Sequence, residues 1–465
     1  MNRRDFLASL TRSTVAMTAA TSLSGAARGA DAPPKPNFLF ILVDDLGWAD
    51  LSCYGSTYHE SLNTDRLAAQ GMRFTDAYAA APVCSPTRAS ILTGKYPATV
   101  HLTDFIAGHW RPYAKLVVPK FNLRLPAEQV ALPEALKGAG YVSACFGKWH
   151  LGGRGSGPAD HGFDVAGGGP SRNDKKVASL TDKTLDFMAR HKDRPFFVHL
   201  CHHTVHIPLE ADEKLVAKYK AKLQPGQKYP QQANPTYAAM IEQLDQSVGR
   251  LMSGLDELGL AKKTVVVFTS DNGGLKRIFT GKGPIVTSNA PLRDEKGTLY
   301  EGGIRVPLII RWPGVVEAGT TCRVPVSSID FYPTFLRAAG VPPSPKHEPD
   351  GLSLLPLLEG RGGLGRDALY WHYPHYHHTP PCGAVREGDL KLIEFYEDGR
   401  LELYDLAKDL GEKNDLADQM PEKAAALRDR LHRWLQDVDA QMPTPNPDYD
   451  PQRAGEWGRR RRKKK

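Results

Sequence analysis

The chain has 465 residues, of which 41% are hydrophobic and 24% are charged, and both fractions are ordinary for a globular protein. The formal net charge is +8, but the seven basic residues at 459–465 and a small excess in residues 1–32 account for it, so the body is close to neutral. The charge therefore gives no basic face for a nucleic acid, and we expect no nucleic-acid partner.

Residues 1–32 resemble an export signal. Arg3 and Arg4 precede Phe6 and Leu7, and a mildly apolar stretch followed by small residues then offers cleavage positions. The paired arginines resemble a twin-arginine signal, which implies the twin-arginine export machinery as a partner and a periplasmic or extracellular location in a bacterium. The alternative is an amphipathic N-terminal helix. No other segment is apolar for long enough to span a membrane as a helix.

Five continuous apolar runs, each too short for a buried helix, predict strands buried on both faces. They begin with "NFLFILVDD" (37–45) and continue with "YVSACFG", "PFFVHLCHH", "TVVVFTSDNGG" and "VPLIIRWPG". Helical segments lie between them, and several end on glycine as a helix C-cap does. This alternation predicts an α/β fold with a large, mainly parallel sheet sandwiched by helices.

The pattern changes after about residue 360. "DLKLIEFYEDGRLELYDL" predicts a β-hairpin and "MPEKAAALRDRLHRWLQDVDAQM" predicts an amphipathic helix. We therefore predict a main domain over 33–360, a small antiparallel C-terminal subdomain over 361–445, and a disordered basic tail over 446–465. The tail reads as a solvated chain end, with a weak electrostatic anchor to anionic surfaces as the alternative.

Two of the predicted strands end in polar residues. Asp44 and Asp45 follow the first, and Asp271 and Asn272 follow the fourth. Because ligands gather at the carboxyl ends of strands in an open α/β sheet, these side chains are expected to meet. Carboxylate and amide oxygens suit Ca²⁺ or Mg²⁺ better than zinc. The alternative is that each pair consists of ordinary turn residues.

A cysteine, Cys84, stands just before the predicted helix in "APVCSPTRASILTGKYP" (81–97). At a helix start the backbone N–H groups favour anions, so one reading is a reactive thiol with a lowered pKa. The other reading is a small apolar residue in a loop. The six cysteines contain no CxxC pair, which makes disulfides optional in this chain.

The pattern C-x-P-x-R followed by "ASILTGKYP" resembles the signature of the type I, formylglycine-dependent sulfatases, an arylsulfatase-like family of the alkaline phosphatase superfamily. The resemblance continues through "GKWHLG", "FTSDNGG" and "KGTLYEGGIRVPLIIRWPG" to "LELYDLAKDLGEKNDLA". It implies an alkaline-phosphatase-like fold over the main domain and a sulfuric ester hydrolase. It also implies that a formylglycine-generating maturation enzyme converts Cys84 to Cα-formylglycine (3-oxoalanine).

The same resemblance implies the residues of the site. One Ca²⁺ per chain would be held by Asp44, Asp45, the oxidised Cys84, Asp271 and Asn272. The implied catalytic residues are Cys84, Arg88, Lys148, His150, His206 and Lys296. In the implied reaction the aldehyde hydrate attacks sulfur, His206 protonates the departing alcohol, and His150 takes the proton whose loss releases sulfate. His206 matches less closely, because Thr204 and Val205 replace the family's usual Ala-Pro.

Two segments rich in aromatic and polar residues are expected to form the substrate rim, which the C-terminal subdomain would complete. "HLTDFIAGHWRP" (101–112) contributes Asp104, His109, Trp110 and Arg111, and "YWHYPHYHHTPP" (370–381) contributes His372, His375 and His377. Rings that stack on sugar faces favour a sulfated carbohydrate substrate, and the general resemblance suggests a terminal sulfated galactose or N-acetylgalactosamine. The alternatives for the second segment are structural packing and a zinc tract completed by Cys382.

Two other functions fit parts of the sequence. One is a phosphomonoester or phosphonate-ester hydrolase of the same superfamily. The other is a noncatalytic protein that binds sulfated glycans. A binding protein would have no need of Cys84, Lys148, His150 and Lys296 together, so the sequence favours the sulfatase.

Overall fold

The buried apolar runs form the centre of one eight-stranded sheet. The computed structural model describes residues 35–223, 232–277, 285–342 and 344–458. The predicted export signal and the basic run that starts at residue 459 lie outside these ranges. The described residues from Lys35 onward form one compact unit.

The regular elements are numbered in chain order. The strands are β1 (Asn37–Val43), β2 (Met72–Phe74), β3 (Ala77–Tyr78), β4 (Leu116–Val117), β5 (Val142–Gly147), β6 (Val165–Gly167), β7 (Phe196–Cys201), β8 (Thr264–Ser270), β9 (Leu308–Arg311), β10 (Thr320–Cys322), β11 (Val326–Ser327), β12 (Leu369–Tyr373), β13 (Cys382–Glu387), β14 (Leu390–Phe395), β15 (Leu401–Asp405) and β16 (Thr444–Pro445). The α-helices are α1 (Leu62–Ala69), α2 (Cys84–Thr93), α3 (Pro97–Val100), α4 (Leu132–Lys137), α5 (Val177–Arg190), α6 (Glu213–Lys222), α7 (Pro235–Glu257), α8 (Glu301–Ile304), α9 (Phe331–Ala338), α10 (Leu355–Leu358) and α11 (Pro421–Asp437).

The strand order of the large sheet is β10-β2-β9-β8-β1-β7-β5-β6. All neighbouring pairs are parallel except those of β9, which runs antiparallel to both β2 and β8. The sheet is therefore mainly parallel, which confirms the predicted fold class. β1 lies in the middle and ends beside β8, so polar residues that follow these two strands reach the same edge.

Alternate side chains of β1 belong to two different cores. Phe38 and Phe40 pack with residues of α2, α4 and α9 on one face of the sheet. Leu39 and Ile41 pack with residues of α1, α5 and α7 on the other face. Because both faces are covered, the strand is apolar at every position, as a continuous hydrophobic run predicts.

A second sheet follows in the C-terminal part of the chain. It has four antiparallel strands in the order β12-β13-β14-β15, and apolar residues of α11 pack against one of its faces. The hairpin β14–β15 and the helix α11 confirm the elements predicted there. β12 and β13 were not predicted, and β12 takes up the start of the segment 370–381, which was expected to form part of the substrate rim.

The segment 446–458 is attached to the body of the protein. β16 pairs with β4, and the side-chain amide of Asn446 donates to the carbonyls of Pro112 and Ala114 at 2.9 and 2.7 Å. Further along, the Gly458 N–H donates to the Trp110 carbonyl at 2.8 Å. The disorder that we predicted from residue 446 therefore does not apply to 446–458, because its backbone and side chains have partners in 110–117.

A search of the described helices found none with both the length and the hydropathy needed to cross a bilayer.

Candidate active site

The polar residues that follow β1 and β8 lie together, as their positions predicted. The backbone N–H of Asp45 donates to Asp271 Oδ1 at 3.2 Å, and Asn272 Nδ2 donates to Asp45 Oδ1 at 2.8 Å. Asp44, Asp45, Asp271 and Asn272 are each at most 2% exposed. The sheet thus collects three carboxylates and an amide in one buried place, named here the acidic cluster.

Helix α2 sets two more predicted residues beside the acidic cluster. The helix begins at Cys84, with Arg88 one turn later, and ends at Gly94, whose φ of 70° suits a residue without Cβ. Arg88 Nε donates to Asp271 Oδ2 at 2.9 Å, and Arg88 Nη1 donates to the carbonyl of Lys148 at 2.7 Å. The Arg88 guanidinium therefore connects α2 to the residues that follow β8 and β5.

Two buried lysines neutralise the acidic cluster. Lys148 Nζ lies 2.6 and 2.8 Å from the two oxygens of Asp44, and Lys296 Nζ lies 2.6 and 2.9 Å from those of Asp45. Burial opposes the charge of each lysine, but the surrounding anionic groups, led by the facing carboxylate, together outweigh burial and raise the pKa of both. Burial also opposes ionisation of Asp44, yet the nearby cations, Lys148 above all, hold its pKa well below the usual range.

His150 faces the helix start. Its Nδ1 lies 3.2 Å from Cys84 Sγ, and its Nε2 contacts the carbonyl of Ile106. Because a carbonyl only accepts, Nε2 carries the hydrogen and Nδ1 is left as an acceptor toward Cys84. Burial, followed by the charge of Lys148, lowers the pKa of His150 to about 4, so the ring is neutral at pH 7.

His206 approaches the same cluster from the segment that follows β7. Its Nε2 lies 3.7 Å from Asp45 Oδ2. A third of its side chain is exposed (33%), whereas Cys84 is only 2% exposed. His206 is therefore within reach of an incoming molecule, whereas Cys84 lies below the surface.

The thiol of Cys84 is not activated by its place at the helix start. Burial raises the pKa of Cys84, although Lys148 and Lys296 oppose this effect. The expectation of a lowered thiol pKa is therefore wrong, because desolvation outweighs the helix terminus. An unmodified Cys84 would stay protonated near pH 7 and would be a weak nucleophile.

The acidic cluster fits a hard cation. Within the described residues no donor reaches Asn272 Oδ1, although this atom is fully buried. Burial raises the pKa of Asp271 to about 6 although the charge of Arg88 opposes this effect, so a further cation beside Asp271 would stabilise its ionised form. An unpartnered amide oxygen beside buried carboxylates is a donor set typical of Ca²⁺ or Mg²⁺.

The predicted rim residues of the first segment divide into buried and accessible ones. Asp104 is fully buried and accepts a hydrogen bond from the Tyr373 hydroxyl at 2.9 Å, and its Oδ2 lies 3.5 Å from His109 Nδ1. The buried Asp104 carboxylate therefore contacts the more exposed His109 ring from the interior. Arg111 is partly buried, and its guanidinium carbon lies 4.3 Å from the ring centroid of Trp457, in the attached C-terminal segment.

All three predicted rim histidines of the second segment are buried, and two of them have structural contacts with residues outside the acidic cluster. His372 lies in β12, where its ring nitrogens contact the Tyr396 hydroxyl at 2.8 Å and the Gln441 carbonyl at 3.0 Å. His375 is fully buried, and its Nε2 lies 2.8 Å from Thr103 Oγ1. Both were predicted on the rim; the structure instead gives them structural contacts, because β12 turns this stretch into the interior.

The third histidine lies closer to the acidic cluster. The ring of His377 lies so close to Gly297 that an added Cβ would sit 1.9 Å from its Nδ1, and Gly297 directly follows Lys296. The ring centroids of His377 and His109 are 5.3 Å apart. The rings of His109 and His377 are therefore in contact, and His377 lies next to the backbone that follows Lys296.

Two residues that contact the site were not predicted from the sequence. His378 Nδ1 lies 2.8 Å from the carbonyl of Lys296. Lys175 Nζ donates to the carbonyls of His206 and Pro208, the latter at 2.9 Å. Lys175 lies in no recognisable motif, and His378 lies in the predicted rim segment without being singled out there. Contacts to backbone carbonyls cannot be inferred from the spacing or type of the residues.

Comparison with known families agrees with this geometry. The family model described as "Sulfatase" matches residues 36–341, and the model described as "N-sulphoglucosamine sulphohydrolase, C-terminal" matches residues 294–441. A protein of Formosa agariphila named "Sulfatase" is 34% identical over 87% of this chain and 89% of its own length. Human arylsulfatase A is 30% identical over 84% of this chain and 86% of its own, and human N-acetylgalactosamine-6-sulfatase is 35% identical over 71% and 67%.

Solved structures give the same result. The crystal structure of Ps i-CgsB in complex with k-i-k-neocarrahexaose has a TM-score of 0.74 and 26% identity, over 89% of this chain and 94% of that one. A phosphonate monoester hydrolase of Agrobacterium radiobacter shares the fold, with a TM-score of 0.66, 21% identity, and coverage of 87% and 97%. With one family model spanning most of the large sheet and relatives aligned over most of their own length, the chain belongs to the sulfatase family and is a sulfuric ester hydrolase.

Proposed function

We propose that this enzyme removes sulfate from a sulfated carbohydrate, with a Cα-formylglycine formed from Cys84 and one Ca²⁺ in the acidic cluster. The observation that carries the proposal is the position of Cys84, which stands at the start of α2 with His150 Nδ1 3.2 Å from its sulfur. An aldehyde at this position would supply, as its hydrate, the nucleophile that the protonated thiol cannot be.

The cationic side chains are suited to bind a sulfate ester. Arg88, Lys148 and Lys296 surround the acidic cluster; Arg88 and Lys296 are buried, and Lys148 is 14% exposed. A cation that is excluded from water stabilises a nearby anion more strongly than the same cation at a surface. We assign these side chains to the nonbridging sulfate oxygens, whose charge they offset throughout the reaction.

The acidic cluster would hold the metal ion through Asp44, Asp45, Asp271 and Asn272, with the modified Cys84 completing the set. Bound there, a Ca²⁺ ion would act as a Lewis acid toward sulfate oxygens and the hydrate. The proposal is supported by the buried Asn272 Oδ1, for which the described residues provide no donor. The carboxylates of Asp44 and Asp45 would then be shared between the ion and the ammonium groups of Lys148 and Lys296.

The two histidines divide the proton transfers. His150 is neutral at pH 7 with Nδ1 as an acceptor toward position 84, so it is suited to take the proton whose loss lets sulfate depart. His206 is partly exposed and close to Asp45, which suits it to protonate the departing sugar hydroxyl. Lys296 would assist at the same oxygen.

A carbohydrate substrate is supported by the named relatives and by the rings beside the cluster. Among the relatives are N-acetylgalactosamine-6-sulfatases, and one similar crystal structure holds neocarrahexaose. His109 and Trp457 are partly exposed, with ring centroids 4.5 Å apart, and offer ring faces, whereas His377 is buried and contacts His109 from the interior. We propose a terminal sulfated galactose or N-acetylgalactosamine as substrate, with the subdomain over 361–445 completing the rim.

Export is part of the proposal. The twin-arginine pattern at residues 3 and 4 supports export of a folded protein to the periplasm or beyond, where sulfated polysaccharides are accessible. The two partners implied are the export machinery and a maturation enzyme that oxidises Cys84.

Mass spectrometry of the tryptic peptide that ends at Arg88 tests the modification. In protein made together with a maturation enzyme we expect the mass of the aldehyde or its hydrate, and Cys84→Ala should lower kcat by at least about 10³-fold. Fully active protein with an unmodified thiol, or near wild-type activity of Cys84→Ala, would overturn the assigned nucleophile.

The reaction class is tested by comparing an aryl sulfate with the matching aryl phosphate. We expect a higher kcat/KM for the sulfate, loss of activity on chelation, and recovery on addition of Ca²⁺. A strong preference for the phosphate would instead favour the phosphomonoester or phosphonate-ester hydrolase. Binding of sulfated oligosaccharides without turnover would favour the noncatalytic glycan-binding protein.

A further inference from the structure

The loop that precedes α5 reaches across to the segment that carries His206. Lys175 Nζ donates to the carbonyl oxygen of His206 and, at 2.9 Å, to that of Pro208. Both acceptors lie in the irregular stretch after β7. One ammonium group therefore connects the backbone on either side of Ile207, next to the histidine that faces the acidic cluster.

The position of Lys175 does not depend on its own side chain. Asp174 is 6% exposed, and its carboxylate accepts from the backbone N–H groups of Arg172 at 2.9 Å, Lys176 at 3.0 Å and Ala178 at 2.8 Å. These bonds fix the turn into α5. A substitution of the Lys175 side chain should thus leave the loop folded while removing its bridge to the His206 segment.

Lys175 also lies within the electrostatic field of the acidic cluster. Burial lowers the pKa of Lys175, and the carboxylates of Asp44, Glu210 and Asp45 act in the opposite direction. The ammonium group is only partly exposed. It is therefore placed where carbonyl oxygens and nearby carboxylates replace the water that it loses.

The ring of His206 is oriented by its own segment. Its Nδ1 lies 2.5 Å from the carbonyl of Ile207, and because a carbonyl only accepts, Nδ1 carries a hydrogen. The exchangeable proton of the ring is then at Nε2, the atom that lies 3.7 Å from Asp45 Oδ2. The direction of Nε2 depends on how the backbone from His206 to Pro208 is held.

We propose that Lys175 is a positioning residue for His206: by binding the carbonyls of His206 and Pro208 it holds Nε2 where a leaving-group oxygen can receive its proton. The inference rests on the proposed function, in which His206 protonates the departing alcohol. It adds to that function a residue outside the sulfatase motifs.

The test uses a series of aryl sulfates whose leaving-group pKa increases, because a poor leaving group needs protonation more than a good one. The variants are Lys175→Met, which keeps length and removes the charge, His206→Ala, the double variant, and Lys176→Met as the control from the same loop. The thermal unfolding midpoint of each variant is first compared with that of the wild type, to show that the variant is folded.

We expect Lys175→Met to lower kcat by about twofold for 4-nitrophenyl sulfate and by about 10²-fold for the poorest leaving group, the lower end of the usual range for general acid catalysis. His206→Ala should show the same or a steeper dependence. In the double variant, loss of Lys175 should add less than about twofold, because the two residues act as one unit. Lys176→Met should keep the wild-type dependence.

The outcomes separate the two levels of the proposal. If Lys175→Met lowers kcat by one common factor for every substrate, or adds its full effect to His206→Ala, the inference is wrong and His206 can still be the acid. If His206→Ala itself leaves the leaving-group dependence unchanged, the role given to His206 in the proposed function is wrong, and the inference falls with it.

Discussion

Asn272 joins the acidic cluster through only half of its amide. Its Nδ2 donates to Asp45 and to the carbonyl of Gly273, while Oδ1 is buried and meets no donor among the described residues. A buried amide oxygen without a partner is unfavourable unless something else binds it. The proposed ion would remove this penalty and connect the oxygen to the three carboxylates.

We therefore predict that Asn272→Ala weakens Ca²⁺ binding by at least about tenfold, because one oxygen ligand is lost while the carboxylates remain. Calorimetric titration of chelated protein measures the affinity directly, without reference to turnover. Asn63→Ala, at the start of α1 and outside the acidic cluster, is the matched control and should bind Ca²⁺ like the wild type. Equal affinities in both variants would contradict the assignment of Asn272.

At the scale of single residues, the sequence predicted those that belong to recognisable patterns. Asp44 and Asp271 follow predicted strands, and Cys84 is part of a family signature. The sequence did not predict the residues that contact the site through backbone carbonyls, such as Lys175 and His378. Such contacts depend on how distant loops meet, and a single sequence carries no record of this. The lowered pKa expected for the Cys84 thiol was wrong for the same reason, because the burial that raises it depends on the fold.

Between elements, one buried lysine connects the C-terminal sheet to the segment that carries Lys296. Lys391 on β14 has its Nζ 2.9 Å from Glu301 Oε1 in α8 and 2.9 Å from Glu412 Oε1. All three side chains are fully buried. The contact therefore ties the small sheet to α8, which begins five residues after Lys296.

We predict that Lys391→Met destabilises the protein by about 3–5 kcal/mol, because the buried Glu412 loses the ammonium group that faces it and, among the described residues, Glu301 keeps only its ion pair with Arg305. Urea unfolding of the wild type and the variant gives the difference. Lys423→Met is the control, since its ammonium pairs with Glu387 at 2.7 Å but is 35% exposed, and it should change stability by less than about 1 kcal/mol. A difference of that small size for Lys391→Met would show that the buried carboxylates are neutralised in another way.

The elements that the sequence predicted are the long ones. The runs that form β1, β5, β7 and β8 were predicted as buried strands because both of their faces are covered. Strands of two or three residues, such as β2, β3 and β10, were missed because so short a stretch has no periodicity. The reversed direction of β9 was also missed, since an apolar run reads the same whichever way its strand points.

Across the whole molecule, several histidines are buried in neutral form. Burial is the first cause that lowers the pKa of His202 to about 3, of His372 to about 4 and of His375 to about 4. In the unfolded chain the same rings titrate near pH 6.5. Their folded pKa values are thus depressed, so the stability they contribute is present above pH 6.5 and is lost as the pH falls toward 4.

We predict that the free energy of unfolding falls steeply between pH 6.5 and 4, with each of these rings contributing about 1.4 kcal/mol per pH unit. Denaturant titrations at several pH values measure the slope. His372→Gln cannot titrate, so it should reduce the slope by one such contribution, whatever it does to stability at pH 7. A variant with the wild-type slope would show that His372 does not stay neutral in the folded state.

The burial of α2 has a consequence in time. Every residue from Cys84 to Thr93 is buried, and the segment is helical. A maturation enzyme that must grip the chain on both sides of Cys84 has no access to it after folding. If Cys84 is converted and the protein is exported folded, as proposed, oxidation would precede folding and export would come last. The active fraction of a preparation would then be decided during synthesis, before α2 is buried.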